Sequence, residues 1–510
     1  MEMAEAQNGN SAVEWRVTVP EGASVTVEHE AGRAARAWAW LVSCALAFRD
    51  KVLGSAKRVW RIGADDPRRA VHGLKVGLAL ALVSVFYYTR PLYDGVGGAA
   101  MWAIMTVVVV FEYTVGGCVY KGFNRAAATA SAGVLALGVH WIASKSGDTF
   151  EPFIRSGSVF VLAAVATFSR FIPAVKARFD YGVTIFILTY SLVAVSGYRV
   201  GALLAMAQQR VSTISIGIAI CLAVCVLFRP VWAGQELHRA TARNMDKLAD
   251  AVEACVHDYF ADAADNNKNA KKARAAEGYK CVLNSKAFED AQANLARWEP
   301  AHGKFGFRHP YAQYKNVGAA MRHCAYCVEA LLGCAARCSS SLAETTSTLA
   351  PGGQHQQGAR RHLAGACTRV AAQCARVLRE AASSVTAMTA TSRGLDLAVA
   401  EMDAAVQELR ADLRALLPSE LLTMAEAAGS AAAVVMDAAQ LFTVTTLLIE
   451  VSSRVEGVVD AVDTLASLAG FESADDEKHT TEVASKVQPV TEPEPEEVEV
   501  SRTTKVLEQA

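Results

Sequence analysis

The sequence predicts an all-α membrane protein with six transmembrane helices per subunit, followed by a cytosolic helical bundle and a disordered acidic tail. Three observations carry that expectation. Hydrophobic residues make up 52% of the 510, mean hydropathy is +0.20, and the apolar excess is concentrated between residues 70 and 232. Within that stretch, uncharged apolar runs alternate with short charged connections. Beyond it the chain turns alanine-rich and amphipathic, and then acidic and proline-rich. The segments this defines are an N-terminal arm with an interfacial helix (1–69), a six-helix transmembrane pore domain (70–232), a cytosolic helical domain (233–470) and the tail (471–510).

The charge balance is near neutral, 50 Lys+Arg against 51 Asp+Glu, so no global field points to nucleic acid. The 12 cysteines follow no secreted framework. Cys118, Cys221 and Cys225 fall in or beside apolar runs, where cysteine acts as a small hydrophobe, and the set reads as reduced. Met1 to Glu30 is polar and lacks the basic start and apolar core of a cleavable signal.

Residues 1–36 read as a mobile arm. Ala37 to Phe48 is apolar but bracketed by Arg36 and Arg49. It falls short of the ~20 residues a bilayer needs, which predicts an interfacial helix. Lys57, Arg58, Arg61, Arg68 and Arg69 form a basic platform, in which Asp66 caps and Pro67 opens the next helix.

The six apolar runs have uncharged cores at 76–89, 95–111, 126–144, 156–169, 181–198 and 211–228. An even number places both termini on one side. That side carries Lys57, Arg58, Arg61, Arg68, Arg69, Lys75, Lys121, Arg125, Arg170, Lys176, Arg178, Arg229, Arg239 and Arg243. The other has Arg90, Lys145, Arg155, Arg199 and Arg210. The positive-inside rule then puts both termini in the cytosol.

The first and fourth runs are short. Their uncharged cores reach only about 21 Å at ~1.5 Å per residue, against a hydrocarbon layer of roughly 30 Å, so some flanking charges must lie at membrane depth. Lys75 and Arg170 are candidates. The stretch Gly97 to Arg125 supplies more. It opens as an apolar helix, carries a lone acid at Glu112, breaks over Gly116 and Gly117, and delivers Lys121 and Arg125 into the third run. Lys121 and Arg125 share a face if helical. Arg210 enters the sixth run from the opposite side. A single such cation reads as an end anchor that snorkels to the headgroups, and Glu112 could neutralise Lys121 or Arg125. Taken together, the cations outnumber the acids at comparable depth, Glu112 and Asp180, and the surplus points to a hydrated route for anions.

The blocks WAIMTVVVVFEYTVGG, KGFNRAAAT, ATFSRFIPAVKARFDYGVTIFILTY, RPVWAGQELH and RWEPAHGKFGFRHPYAQYKNVGAAMRHC run in that order from Trp102 to Cys324. Together they resemble the plant aluminium-activated malate transporter family of anion channels. The resemblance implies six spans per subunit, a homodimer, a cytosolic helical C-terminal half, and passive flow of malate, chloride or nitrate through a basic pore. It also assigns pore charges to the KG-NR segment and to the cation opening the sixth span, here Lys121, Arg125 and Arg210. Arg170 of the FSRFIP segment is a further candidate.

Two departures qualify it. The loop before the sixth run, YRVGALLAMAQQR, has no acid, and the first external loop offers only Asp94. A hard trivalent cation calls for oxygen ligands, so activation by aluminium is not expected. The segment at Val231 to Glu236 reads VWAGQE where the family has VWAGED.

After Trp232, Leu248, Val252, Cys255 and Tyr259 recur at helical spacing. Residues 262–275 read as a polar linker. The Trp298, Glu299, Pro300 block, with Phe305, Phe307, Tyr311 and Tyr314, lacks periodicity and predicts an irregular loop packed on helices; a peptide-docking site is the alternative. Cys324, Cys327, Cys334 and Cys338 have zinc-like spacing within pairs but read better as the buried side of one helix, so no metal and no cofactor is predicted. Ala438 to Ile449 is too short for a seventh span and reads as a core helix. Helices from Gly358 to Gly470 are expected to break at Leu417, Pro418 and Ser419, and the stretch from Ser339 through Gly358 to form a flexible loop.

The tail from Glu472 is rich in Pro and Glu and reads as disordered. Its Thr480, Thr481, Ser501, Thr503 and Thr504 are hydroxyls a regulatory kinase could use. No Walker loop, dinucleotide fingerprint, zincin helix or nucleophile elbow is present, and the chain is read as no enzyme. The expected function is an anion channel in the lipid bilayer, gated through its cytosolic domain. The EACVHDYF and GYKCVLNSKAFED segments resemble plasma-membrane members of the family more than vacuolar ones. A coupled exporter of organic or aromatic acids and a non-conducting membrane scaffold are the alternatives.

Overall fold

The computed structural model describes residues 33–89, 100–147, 149–196, 203–260, 277–306, 308–345, 353–390, 393–426 and 431–472. The expectations for the arm before residue 33, for Arg90, Asp94 and Arg199, for the linker 262–275, for Phe307 and for the acidic tail beyond 472 fall outside them. The chain divides into two units, Met1–Leu74 and Lys75–Ala510.

In the first unit, α1 (Arg33–Asp65) is one continuous helix. The short interfacial helix expected at 37–48 is therefore too short a reading. The polar triplet Arg49, Asp50, Lys51 does not break a helix, and apolar residues resume at Val52 and Leu53. Asp66 ends it and caps α2 (Pro67–Tyr88), accepting the Arg68 N–H at 3.2 Å and the Arg69 Nε at 3.2 Å.

The second unit carries an apolar helical group: α3 (Ala100–Val110), α4 (Val115–Lys145), α5 (Glu151–Ser169), α6 (Pro173–Ser196) and α7 (Leu203–Leu227). Four segments, Val115–Lys145, Glu151–Ser169, Pro173–Val195 and Ala207–Leu227, are long and apolar enough to cross a membrane; Met101–Val110 is a shorter apolar helix. These match the third to sixth of the expected runs. α4 packs on α6, α3 on α7, and α4 on α7. Gly217 of α7 lets α3 and α7 approach closely, because a Cβ there would sit 2.9 Å from Thr106 Cβ on α3. α7 ends with Arg229 in a left-handed turn (φ 42°) before Pro230, which cannot continue a helix.

Beyond Trp232 come α8 (Ala233–Phe260), α9 (Gly278–Leu283), α10 (Lys286–Ala296), α11 (Tyr311–Thr345), α12 (Gly353–Ala387), α13 (Arg393–Glu426) and α14 (Ala431–Ala469). Their apolar stripes meet in one core. Leu248, Val252 and Cys255 of α8 share this core with Val317, Met321 and Cys324 of α11, Cys374 and Leu378 of α12, and Val451 and Val455 of α14; α8 packs on α11 and α12, and α14 joins through α11 and α12. Val444 and Leu448 belong to this core, so the run at 438–449 is a core helix. Cys324 is fully buried on one continuous helix.

Two sequence expectations are corrected. α13 runs straight through Pro418, so the expected break at 417–419 is not there; a proline forfeits one backbone hydrogen bond near the end of a long helix without stopping it. The expected loop at 339–358 shrinks as well, since α11 extends to Thr345 and α12 starts at Gly353.

Candidate functional site

The break after α3 sets the geometry. It falls at Phe111 to Thr114, ahead of the Gly116–Gly117 pair where the sequence suggested it. Thr114 takes an extended conformation and its hydroxyl accepts the Gly117 N–H at 3.2 Å, an N-cap that starts α4. The glycines thus lie in the first turn, and Lys121 and Arg125 sit inside α4, one turn apart on the helix that becomes the third apolar run. They are not carried by a connection between two helices.

Each predicted cation has a distinct environment. Lys121 forms an ion pair with Glu112 and lies 5.7 Å from the Tyr181 ring centroid. Arg170 is held by both oxygens of Asp180, at 2.8 and 3.2 Å, in the turn between α5 and α6. Lys75 is buried and donates from Nζ to the Arg229 carbonyl at 2.8 Å, neutralising an orphan carbonyl where α7 ends. Arg125 is only 5% exposed, and its Nε donates to Thr106 Oγ1 at 3.1 Å. Arg210 is half-buried with its guanidinium 4.4 Å from the Trp102 ring centroid. Among the described residues no carboxylate pairs with Arg125 or Arg210.

Their two partners, Trp102 and Thr106, are one turn apart on α3, and Thr106 Oγ1 itself donates to the Trp102 carbonyl at 2.6 Å. One face of α3 therefore receives Arg210 from α7 and Arg125 from α4. At ~1.5 Å per residue, Arg210, Arg125 and Lys121 are spread over about 12 Å of helix length. One turn beyond Arg125, Thr129 Oγ1 is buried with no hydrogen-bond partner among the described residues, and so is Tyr181 OH.

Glu299 forms a second buried polar centre. Its carboxylate is buried and accepts three backbone N–H groups: Gly116 at 3.2 Å in the first turn of α4, and Ala233 at 2.5 Å and Gly234 at 3.1 Å at the start of α8. The Val115 N–H donates to the Val231 carbonyl at 2.9 Å alongside. One acid therefore caps the apolar helix and the first helix of the polar bundle together, with both positive helix ends aimed at it. Burial pushes its pKa up, and the Gly234, Ala233 and Gly116 donors pull it back. Trp298 packs against Tyr120 and Phe123 of α4, with centroids at 5.6 and 5.3 Å. The Pro300 carbonyl accepts from His302 Nδ1 at 2.9 Å, and that ring stacks on Trp232 at 3.8 Å.

Behind this corner, Tyr314 OH lies 2.9 Å from His238 Nδ1 and 3.0 Å from His309 Nε2. Burial lowers both histidines, His309 to about 4.

Sequence reading singled out all five cations but not their separation into carboxylate-paired and unpaired sets, nor the roles of Thr106 and Trp102. It flagged the Trp298, Glu299, Pro300 block without its use. The usable signal was an acid set between Trp and Pro in a stretch with no helical period.

Comparison with known proteins gives the family. The family described as "Aluminium activated malate transporter" matches residues 60–436. Aluminum-activated malate transporter 10 of Arabidopsis thaliana is 52% identical over 338 residues, 63% of this chain and 68% of that protein. Aluminum-activated malate transporter 2 of the same plant is 52% identical over 284 residues, 55% of this chain and 57% of that protein. Aluminum-activated malate transporter 1 of Triticum aestivum is 50% identical over 285 residues, 55% and 62% of the two chains. This is a membrane protein, and it belongs to the aluminium-activated malate transporter family.

Proposed function

We propose that the protein is an anion channel that passes malate, chloride or nitrate, with Arg125 and Arg210 as the charges that draw anions into its pore. The observation that carries the reading is the burial of Arg125 in an apolar helical group with a hydroxyl, and no carboxylate among the described residues, as its polar partner. A cation at membrane depth is costly unless it snorkels, pairs or meets water, and a permeating anion supplies the countercharge that Thr106 does not. Unpartnered hydroxyls at Thr129 and Tyr181 suit the same hydrated path. Two spread sites keep each binding step weak enough for release. The relatives' names, which specify malate transport, agree with it.

Lys121 contributes to the pore with its charge offset by Glu112, whereas Arg170 and Lys75 serve helix connections. The carboxylate of Glu299, with Trp298 and Pro300 beside it, transmits motion of the cytosolic bundle to α4, which is the gating path. Six spans, both termini in the cytosol, a homodimer and a plasma-membrane location complete the proposal, and aluminium is not the activator.

Voltage clamp of the full chain, with malate, nitrate and chloride exchanged on each side, tests it. Anion currents carried by the wild type and reduced by Arg125→Ala support the channel. Flux without current, driven by a second gradient, would mean a coupled exporter. No flux at all, in a protein that still reaches the membrane, would mean a scaffold.

A further inference from the structure

We infer that α1 is a membrane-surface element that lies on anionic phospholipid of the bilayer its own chain crosses, with its basic face among the headgroups. The helix repeats apolar residues at Trp38, Leu41, Leu46, Val52, Val59 and Trp60, which fall on one side at 100° per residue, with Arg49 among them and Trp40 and Ile62 on the other side. Lys51, Lys57, Arg58 and Arg61 fall on the other. Every one of these apolar side chains is exposed within its unit, Trp38 to 71% and Trp60 to 80%.

Charge decides the occupant. A second copy docked on the apolar face would leave the opposite basic face without countercharge, since the described helix has only Asp50 and Asp65, and Asp50 pairs with Arg49. An anionic lipid surface satisfies both faces at once, acyl chains taking the tryptophans and headgroup phosphates taking the lysines and arginines. Only Asp66 separates α1 from α2, whose apolar run the sequence assigns to the bilayer, so the helix needs no high intrinsic affinity. The inference stands apart from the question of conduction.

The test uses the full-length protein in nanodiscs, with the photocrosslinker p-benzoylphenylalanine in place of Val52 and, separately, of Arg61. Illumination followed by mass spectrometry of the α1 peptides should find acyl-chain adducts from position 52 and few from position 61. Adding phosphatidylserine to phosphatidylcholine discs should raise the yield at 52 by about threefold or more, and the Lys57→Gln/Arg58→Gln/Arg61→Gln variant should lose that increase. Crosslinks from position 52 to a second copy or to another part of the chain would overturn the inference. Equal yields with and without phosphatidylserine would overturn it too.

Discussion

The Gly116 N–H in the first turn of α4 donates to the Glu299 carboxylate at 3.2 Å, across 183 residues of sequence. The same carboxylate holds Ala233 and Gly234 of α8. A buried acid shared by two helix N-termini is a mechanical joint, since either helix can move only by carrying Glu299 or by stranding N–H groups. Hydrogen bonds to a charged group are worth ~1.5–3 kcal/mol each in favourable cases. Glu299→Ala should therefore destabilise the protein by about 2–4 kcal/mol, seen as a lowered Tm of the protein in nanodiscs. Glu299→Gln keeps one acceptor and should fold better than Glu299→Ala while still losing most of the current. Full wild-type currents in Glu299→Gln would separate this joint from gating.

The cations should not respond alike to neutralisation. Arg125→Gln and Arg210→Gln remove charges that no acid among the described residues offsets, and anion conductance should fall severalfold in each. Arg170→Gln removes a charge already balanced by Asp180, so conductance should stay close to wild type. Single-channel recording at matched surface expression checks this ordering.

Glu112 holds Lys121 in an ion pair. Glu112→Gln keeps the size of the side chain and frees the ammonium. Anion conductance should rise, with the rise shrinking at high ionic strength because the freed charge is screened. A fall in conductance would show that the acid positions Lys121 for permeation.

Acid should loosen the bundle at the Tyr314 hydroxyl. His309 has a folded pKa of about 4 against an ordinary 6.5, because burial disfavours its charged form. The unfolded chain thus binds the proton more readily. Stability is full above pH ~6.5 and is lost as pH falls toward 4, by up to about 3 kcal/mol. His238, also lowered by burial, acts in the same direction. Thermal unfolding at a series of pH values should show this slope, and His309→Gln should flatten it. Tyr314→Phe should lower Tm by leaving both ring nitrogens without their shared partner.

Much of this was legible from residue order. Uncharged runs end where lipid ends, and the third to sixth of them reappear as α4 to α7. Helical spacing gave the core stripe of Leu248, Val252 and Cys255. Local rules failed where a long-range partner outweighs local preference. The glycine pair at 116 and 117 looked like a break, yet it lies in a helix because Thr114 caps it and Glu299 presses on it.

By itself, then, the sequence determined which segments are apolar and long enough to cross a membrane and which cations flank them, because apolar length and charge are properties of composition alone. It could not determine which cations stay uncompensated. Whether Arg170 meets Asp180, Lys121 meets Glu112, or Arg125 meets a threonine hydroxyl depends on how helices pack. Side-chain pairing acts over a few ångströms between residues 10 positions apart for Arg170 and Asp180 and 19 for Arg125 and Thr106, and only the tertiary structure brings them that close.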